Sequence, residues 1–351
     1  MTNPSPKSGL YEMTLKEGED FCKRQNLPAY RARQILDWVY KKQIVSFSEA
    51  KNVPAEIHKK FSEHFEIQLL ELVETSCSSN QESTKFLFRT RDGRLIESVL
   101  IEQKGRRTLC LSTQIGCKIG CVFCASGKGK FGRNLSAGEI VEQAALVQRA
   151  CGAPLTNIVF MGMGEPLDNF DATMKALEIL QAPWGFAIGA RRITVSTSGI
   201  TPKIAEFVKR SEGCVRLSIS LHAADEKKRT ELVPINKKHT LKELTGVLNE
   251  IHKKLKRDIT FEYTLLDGIN DSKKDAEGVA RIARSLHAKV NVIPYNPIFG
   301  ETFKTPTQEK IDNFRRTLEQ KGIQVIVRQT AGRDINAACG QLRLLRESDI
   351  D

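Results

Sequence analysis

From about Leu109 onwards, short β-rich runs alternate with amphipathic helical segments along the chain. The centres of most runs are continuous apolar or β-branched residues, as expected for parallel strands that helices cover. The predicted strands are Thr108–Ser112, Asn157–Met161, Arg192–Thr197, Val215–Leu221, Ile259–Leu265, Lys289–Ile293 and Ile323–Val327. Repeated βα units predict an α/β fold, either a parallel sheet or a complete or partial barrel, with its chemistry at the carboxyl ends of the strands.

Two segments carry the signature of a helix start. Ser136 lies three residues before Glu139, and Thr240 lies three residues before Glu243, so both predict a capping box. The first helix should run to about Ala150. After the second box one apolar stripe follows, formed by Leu241, Leu244, Leu248, Ile251 and Leu255. The basic residues that lie mostly off this stripe are then expected on a solvated face: Lys253, Lys254, Lys256 and Arg257.

Residues 1 to about 90 are predicted to form a separate, mainly helical module. An apolar stripe at helical spacing indicates one buried helix face: Ala32, Ile35, Leu36, Val39 and Tyr40. Between Lys23 and Lys60 there are nine Lys and Arg residues against three acids. Such a module could dock on a phosphate backbone, or it could simply present a solvated lysine face. Linking strands should follow to about residue 105, and residues 106–351 should form the core.

The composition limits the remaining choices. A length of 351 residues suggests roughly two domains, or one large α/β domain with an appendage, and a hydrophobic content of 40 % excludes global disorder. The net charge of +12 fits an acidic partner such as RNA. No apolar run approaches the roughly 18 residues of a membrane span, and the polar stretch Met1 to Glu19 has no signal-peptide core. We therefore expect a cytoplasmic protein, in which nine cysteines indicate metal binding or redox chemistry rather than disulfides.

The strongest local signal is the segment from Cys117 through Cys121 to Cys124, where three cysteines stand four and three residues apart. Gly116 and Gly120 make this a loop that can wrap a small inorganic core. A [4Fe-4S] cluster needs four ligands, so three local cysteines would leave one iron open to bind a small molecule and pass it an electron. The alternative is a structural zinc site that a distant Cys or His completes.

Further motifs follow in a fixed order: Met161-Gly-Met-Gly-Glu165-Pro166, Ser196-Thr-Ser-Gly199, Ser220-Leu-His222, Tyr295-Asn296-Pro297 and Asn336-Ala-Ala-Cys339-Gly340-Gln341. Together with Phe123 before the last cluster cysteine, they resemble the RlmN family of the radical S-adenosylmethionine (SAM) superfamily. The resemblance covers nearly the whole chain. It implies a partial (β/α) TIM-like barrel of radical SAM type with a small helical N-terminal domain.

The resemblance also implies an activity. RlmN proteins are dual-specificity methyltransferases that act on carbon 2 of an adenine in 23S rRNA, in the peptidyl transferase centre, and on the adenine next to the anticodon in some tRNAs. The implied cofactors are a [4Fe-4S] cluster on Cys117, Cys121 and Cys124, and two SAM molecules per turnover. An electron donor such as a flavodoxin or ferredoxin, RNA as partner, and a monomeric chain follow from the same resemblance.

By resemblance the SAM contacts are Gly164, Glu165, Ser196, Ser220, Leu221, His222 and Asn296. Each falls at or near a predicted strand end, where polar groups can meet a ligand. Glu165 would hold the methionyl ammonium, although the glycines of its motif could equally make a turn after a buried strand. A lone histidine such as His222 is usually structural.

The resemblance further implies that Cys339 takes a methyl group from one SAM, whereas a second SAM provides the radical that activates this methyl group for addition to adenine. A base then removes the ring proton, and Cys110 attacks the sulfur of Cys339 to release the product. Without the family, both cysteines would be read as small buried hydrophobes. Glu97 is the implied base, although an acid on a strand ordinarily faces water.

The arginines Arg328, Arg333, Arg343 and Arg346 flank Cys339 in sequence and could hold phosphates, or could be ordinary surface residues. The nearest rival function is the homologous carbon-8 adenine methyltransferase. Pro166-Leu-Asp-Asn169 and Phe131-Gly-Arg-Asn-Leu135 look more like the carbon-2 group. A non-catalytic zinc RNA-binding protein, an iron–sulfur electron carrier and a conventional SAM methyltransferase explain fewer of the motifs.

Overall fold

A computed structural model describes residues 7–328 and 331–342 of the chain. Ten strands form one open sheet in the order β12-β11-β10-β9-β8-β7-β6-β5-β4-β3. The strands are β3 (Leu70–Cys77), β4 (Ser83–Thr90), β5 (Leu95–Gln103), β6 (Arg106–Cys110), β7 (Asn157–Phe160), β8 (Ile193–Thr197), β9 (Arg216–Ser220), β10 (Thr260–Leu265), β11 (Lys289–Pro294) and β12 (Val325–Val327). A separate short pair joins β1 (Ser8–Gly9) to β2 (Phe65–Glu66).

The sheet has two halves that differ in strand direction. Strands β6 to β12 all run parallel, and each pairs with the next along the chain. Strands β3, β4 and β5 form an antiparallel meander that pairs onto β6. The parallel half is the predicted α/β partial barrel, and every strand predicted within it is present with bounds shifted by no more than two residues. The predicted α/β fold class is thus confirmed.

Helices cover the outside of the parallel strands, as βα units require. They are α4 (Ala125–Lys128), α5 (Ala137–Cys151), α6 (Phe170–Gln181), α7 (Thr201–Arg210), α8 (Glu226–Leu232), α9 (Leu241–Ile251), α10 (Lys273–Ser285) and α11 (Gln308–Gln320). Both predicted capping boxes are present, at the starts of α5 and α9. Helix α9 ends at Ile251, four residues before the predicted stripe does, and the lysines beyond it are exposed as predicted.

The N-terminal segment folds into three helices, α1 (Leu15–Arg24), α2 (Tyr30–Leu36) and α3 (Ala55–His64), and a π-helical turn continues α2 over Asp37–Lys41. The predicted stripe from Ala32 to Tyr40 is buried, as expected. Its apolar residues join the same hydrophobic core as the barrel. Buried polar contacts fix the junction, since Glu142 of α5 accepts a hydrogen bond from the Leu69 backbone at 2.8 Å.

Among the described residues, none of the helices combines the length and apolar character needed to cross a bilayer.

Candidate active site

One large cavity of about 730 Å³ opens at the carboxyl ends of the parallel strands. It brings together most of the residues singled out from the sequence, which lie far apart along the chain. Lining it are Cys110, Cys117, Cys121, Cys124, Gly164, Glu165, Ser196, Ser220, His222, Asn296 and Cys339. Glu97 and Leu221 are not among the lining residues. The concentration of these groups in one cavity makes it the candidate active site.

The three clustered cysteines occupy the loop between β6 and α4. The loop depends on Gly116, whose φ of +72° is combined with backbone so close that a Cβ would lie 2.6 Å from the carbonyl oxygen of Lys130. Burial raises the pKa of each thiol, and the charge of Cys124 raises the pKa of Cys117 and Cys121 further. Three neighbouring thiolates therefore need a compensating positive charge.

The donor set fits an iron–sulfur cluster, because its three soft sulfur ligands all line the cavity and the cluster's iron ions would supply that positive charge. Within the described part of the chain, no set of three or more His, Cys, Asp or Glu side chains surrounds a position for a single metal ion. A protein cation also lies nearby: Arg229 of α8 lowers the pKa of Cys121.

Arg229 is completely buried and joins several loops of the site. Its guanidinium donates to the backbone oxygens of Ser198 (2.6 Å), Ser220 (3.3 Å) and Leu221 (3.1 Å) and to the side chain of Asn236 (2.6 Å). Burial lowers the pKa of Arg229 to about 10, so it remains a cation at neutral pH. It holds the ends of β8 and β9 in register behind the predicted SAM contacts.

Glu165 is buried at the turn after β7, where Ser198 donates both its backbone N–H (2.8 Å) and its hydroxyl (2.6 Å) to the carboxylate. Burial raises the pKa of Glu165, and the bonds from Ser198 oppose that rise. The preceding Gly164 has a φ of +99°, and a Cβ there would lie 2.5 Å from the side chain of Gln114. The turn thus aligns a buried carboxylate with the cavity, as an ammonium site requires.

Ser196 and Ser220 face the cavity from neighbouring strands, with their hydroxyl oxygens 3.5 Å apart. His222 follows in the left-handed conformation, and its Nδ1 accepts the backbone N–H of Thr264 at 3.0 Å. Burial and the charge of Arg229 lower the pKa of His222 to about 3. The imidazole is therefore neutral, and its Nε2 carries the remaining proton.

Cys110 and Cys339 reach the same cavity from opposite ends of the sequence. Cys110 is half-buried on β6, whereas the side chain of Cys339 is exposed to the cavity, and neither is in a disulfide. They are close enough for the charge of Cys339 to raise the pKa of Cys110. The Cys339 loop also contacts the loop of the three clustered cysteines (hereafter the cluster loop), because the Gly340 oxygen accepts the Ala125 N–H at 2.7 Å.

Asn296 lines the cavity and is also bonded to this loop. Its side-chain amide donates to the Cys339 carbonyl at 3.0 Å, and its oxygen accepts from Arg333 at 3.1 Å. The guanidinium of Arg333 is thus bonded within the site, although the residue as a whole is largely exposed. Arg343 and Arg346 lie outside the described residues.

Two predicted residues lie just outside the cavity. The Leu221 side chain is completely buried in the apolar core, so only its backbone could meet a ligand. Glu97 on β5 is 4 % exposed, which rules out the water-facing alternative, and its carboxylate forms an ion pair with Lys85. Val99 and Ile101, on the same face of β5, do line the cavity.

Sequence reasoning missed the charged cavity-lining residues Lys104, Arg106 and Glu262, and it missed Arg229 behind the cavity. Arg229 stands in the charged run Glu226-Lys-Lys-Arg229, which is typical of a solvated helix. Glu262 lies on β10, where an acid among apolar neighbours gives no sign that it points into the barrel. Alternate residues of a strand share one face, so Glu262 lies on the same face of β10 as Thr264, which also lines the cavity. This alternation could have indicated that Glu262 points into the cavity.

Comparisons with known families agree with this geometry. Residues 111–277 match the radical SAM superfamily, and this span holds the cluster loop and the strands from β7 to β10. Residues 8–67 match the N-terminal domain of ribosomal RNA large subunit methyltransferases, and they comprise the helical segment.

Relatives that match nearly the whole chain carry names from the same family. A probable dual-specificity RNA methyltransferase RlmN from Clostridium perfringens (strain SM101 / Type A) is 43 % identical over 95 % of this chain and 96 % of its own. One from Thermotoga neapolitana is 44 % identical over 92 % and 93 %. The crystal structure of a radical SAM methyltransferase from Sphaerobacter thermophilus is 42 % identical and superposes with a TM-score of 0.92 over 96 % of this chain and 99 % of that one.

Proposed function

This chain belongs to the RlmN family of radical SAM RNA methyltransferases, and we propose that it methylates carbon 2 of an adenine in 23S rRNA and of the adenine next to the anticodon in some tRNAs. The cofactors of the family are SAM and a [4Fe-4S] cluster. Cys117, Cys121 and Cys124 would hold the cluster, and Gly164, Glu165, Ser196, Ser220, Leu221, His222 and Asn296 would surround SAM. Bound there, the cluster would supply an electron for the reductive cleavage of SAM, and SAM would supply the methyl group.

The observation that carries the proposal is the placement of Cys110 and Cys339 in the same cavity as the cluster cysteines. The formation of a radical from SAM requires neither Cys110 nor Cys339, so it does not explain why these two cysteines lie in the cavity. Carbon 2 of adenine is a poor nucleophile, so a methyl group must be delivered to it by a group held within reach. A thiol exposed to the cavity, as Cys339 is, can carry that methyl group.

Each chain residue then has one task. Cys339 accepts a methyl group from the first of two SAM molecules, and its activated methyl carbon forms a bond to the adenine. Glu97 takes the proton from the ring carbon, which a buried carboxylate can do when a cation keeps it ionised. Cys110 attacks the sulfur of Cys339 and frees the methylated RNA, and the resulting disulfide must be reduced before another turnover.

The RNA must present an unstacked adenine, because the reacting sulfurs lie inside a cavity that a duplex cannot enter. We propose an accessory RNA-binding module (residues 1–90), linking strands to about 105 and a radical SAM core (106–351), although strands β3 and β4 of the module already belong to the main sheet. All the proposed catalytic groups come from one chain, which supports a monomer. Nine unpaired cysteines suit a reducing compartment such as the cytoplasm, where a flavodoxin or ferredoxin could donate electrons.

The test is anaerobic reconstitution with iron and sulfide, followed by reaction with protein-free 23S rRNA and with tRNA. Chromatography and mass spectrometry of the nucleosides should find 2-methyladenosine in both RNAs. Cys339→Ala should abolish the product, and Cys110→Ala should leave a covalent protein–RNA adduct. Cys77→Ala is the matched control, because this exposed cysteine lies on the edge strand β3 and should not affect turnover.

Other outcomes assign other functions. The isomer 8-methyladenosine would identify the carbon-8 enzyme. A colourless protein that holds zinc and does not cleave SAM would identify a non-catalytic RNA-binding protein. Product from only one RNA would contradict the dual specificity.

A further inference from the structure

Among the described residues, the most exposed large apolar side chain is that of Phe299, which is 92 % exposed. Phe299 lies in the loop between β11 and α11, residues 295–307, at the carboxyl ends of the parallel strands. The same loop begins with Tyr295 and Asn296, which line the cavity. Single exposed apolar residues are common on protein surfaces, so the exposure of Phe299 becomes informative only through the way its loop is held.

The apolar neighbours of Phe299 in this loop are packed inwards. Ile298 and Phe303 both pack against a small apolar cluster that contains Tyr295. The Phe303 ring meets the Tyr295 ring edge to face, with the ring centres 6.0 Å apart. The hydroxyl of Thr305 donates to the Tyr295 carbonyl at 2.7 Å. Hydrophobic packing therefore explains the positions of Ile298 and Phe303 and leaves Phe299 directed outwards.

A tight turn presents Phe299. The Glu301 N–H donates to the Ile298 carbonyl at 3.1 Å, which closes a four-residue turn with Phe299 and Gly300 at its centre. Gly300 has a φ of +80°, a left-handed conformation that residues with a Cβ adopt only at a cost. Glu301 is fixed by an ion pair with Lys128 of α4, whose Nζ lies 2.9 Å from its Oε1. The backbone that carries the phenyl ring is thus held on both sides of the turn.

The turn is also connected to the loop of the proposed methyl carrier. Gln341, two residues after Cys339, donates its side-chain amide to the Pro297 carbonyl at 2.8 Å. Lys128, on the other side of the turn, belongs to α4, which directly follows the cluster loop. The segment that carries the exposed ring is therefore bonded both to the Cys339 loop and to the helix behind the cluster loop.

The chemistry of the exposed ring fits an unpaired nucleobase. Single-stranded bases stack on aromatic side chains, and such a stack forms with any base. Removing an adenine from its own stack uncovers the face of a neighbouring base, which is part of the cost of bringing the adenine into an enclosed site. A phenyl ring held beside the mouth of the cavity can cover that face.

The charge of the loop favours the same partner. Lys304 is exposed, whereas the negative charge of Glu301 is offset by its ion pair with Lys128. The loop therefore offers a positive charge near the exposed ring, which suits a strand of phosphates.

We propose that Phe299 stacks on a base of the RNA strand next to the target adenine and so holds that adenine out of its stack at the mouth of the cavity. The inference rests on the proposed function, because it takes an RNA adenine as the substrate. No bond forms or breaks at Phe299, so its contribution is to the binding of RNA and not to the transfer of the methyl group.

The first test is equilibrium binding of reconstituted holoenzyme to a synthetic RNA hairpin that carries the target adenine in its loop. Phe299→Ala should weaken binding by about 5- to 150-fold, the effect of losing one base–aromatic stack. The factor should be the same at low and high salt, because stacking releases no counterions. Phe299→Trp should restore the affinity, whereas Phe299→Leu, which is apolar but has no aromatic ring, should not.

Leu72→Ala is the control, because Leu72 is an exposed apolar residue of the edge strand β3, and this variant should bind the hairpin as wild type does. Thermal unfolding should be the same in Phe299→Ala and wild type, since the ring lies almost wholly in solvent. Wild-type affinity in Phe299→Ala, or in Phe299→Leu, overturns the inference.

A second measurement locates the stacked base. The fluorescent base 2-aminopurine, which stacking quenches, is placed in turn at each loop position beside the target adenine. One position should be brighter in the complex with Phe299→Ala than in the complex with wild type. Equal brightness at every position would contradict the stack.

Two other results would point elsewhere. If Phe299→Ala binds RNA normally and only receives electrons more slowly from a flavodoxin, the exposed ring belongs to a docking site for the electron donor and the inference fails. If wild type binds the hairpin but makes no methyladenosine, the proposed function fails, and the binding comparison still decides whether Phe299 contacts RNA.

Discussion

The Nζ of Lys85 lies 3.0 Å from Oε1 of Glu97, across neighbouring strands β4 and β5 and almost out of reach of solvent. A buried carboxylate without a cation would tend to take up a proton and lose its capacity as a base. The lysine therefore stabilises the charged form of Glu97 beside the cavity wall that Val99 and Ile101 form.

Glu97→Gln should lower turnover by about 10²- to 10⁴-fold, the usual contribution of a general base. It should also leave the covalent protein–RNA adduct, which gel electrophoresis detects. Lys85→Met should slow the same proton-transfer step, but it should lower turnover less than Glu97→Gln does. Lys85→Arg keeps the charge and should retain more activity than Lys85→Met. Wild-type turnover in Glu97→Gln would remove this residue from the mechanism.

His222 should make the folded state sensitive to acid. Its pKa is about 3 in the fold against about 6.5 in an unfolded chain, so between these values only the unfolded chain binds the proton. Stability is fully present above pH 6.5 and falls as the pH drops towards 3. At pH 5 this one group should cost about 2 kcal/mol relative to pH 7. Denaturant unfolding of wild type and His222→Gln at both pH values measures it, and an equal pH dependence in the two proteins would contradict it.

Arg229→Met should destabilise the protein by about 3 kcal/mol or more, because backbone oxygens of β8 and β9 would lose their donor while remaining buried. Arg229→Lys keeps the charge but cannot reach all four acceptors, so it should also raise the KM for SAM. Thermal unfolding and SAM titration report the two effects. Arg210→Met, at the exposed end of α7, is the control. A variant at Arg229 with normal stability would show that the bonds are not needed.

Gly164→Ala should destabilise the chain by about 2 kcal/mol and weaken SAM binding, because it combines backbone strain with a close approach to Gln114. Gly152→Ala is a matched control, since its φ of +62° is also left-handed but nothing lies within 4 Å of its added Cβ. That variant should lose only about 1 kcal/mol from strain. Equal losses at both positions would mean that the contact with Gln114 relaxes without cost.

Local patterns predicted the elements well because each carries its own periodic signal. The capping boxes at Ser136 and Thr240 and the buried stripe of α2 are short-range features, and all appear in the structure. The parallel sheet followed from the alternation of strands and helices. Element ends were less accurate: β6 begins and ends two residues earlier than predicted, and Leu255 packs on the core from a turn beyond the end of α9.

The site was predictable where a motif marks it and not where tertiary packing decides. The three clustered cysteines and the Gly-Glu-Pro turn are visible in the sequence. Arg229 is not, because nothing local shows which residue of a charged helix turns inward to satisfy distant carbonyls. Nor does the sequence show that Asn296, a SAM contact by resemblance, is also bonded to the Cys339 loop. Such pairings depend on residues that the chain brings together only on folding.

The hydrogen bond from the Ala125 N–H to the Gly340 oxygen starts one residue after Cys124, a proposed cluster ligand, and ends one residue after Cys339. Loss of a cluster held by Cys124 should therefore also shift the loop of Cys339, the proposed methyl carrier. Protein that has lost its cluster should then form no covalent adduct with RNA.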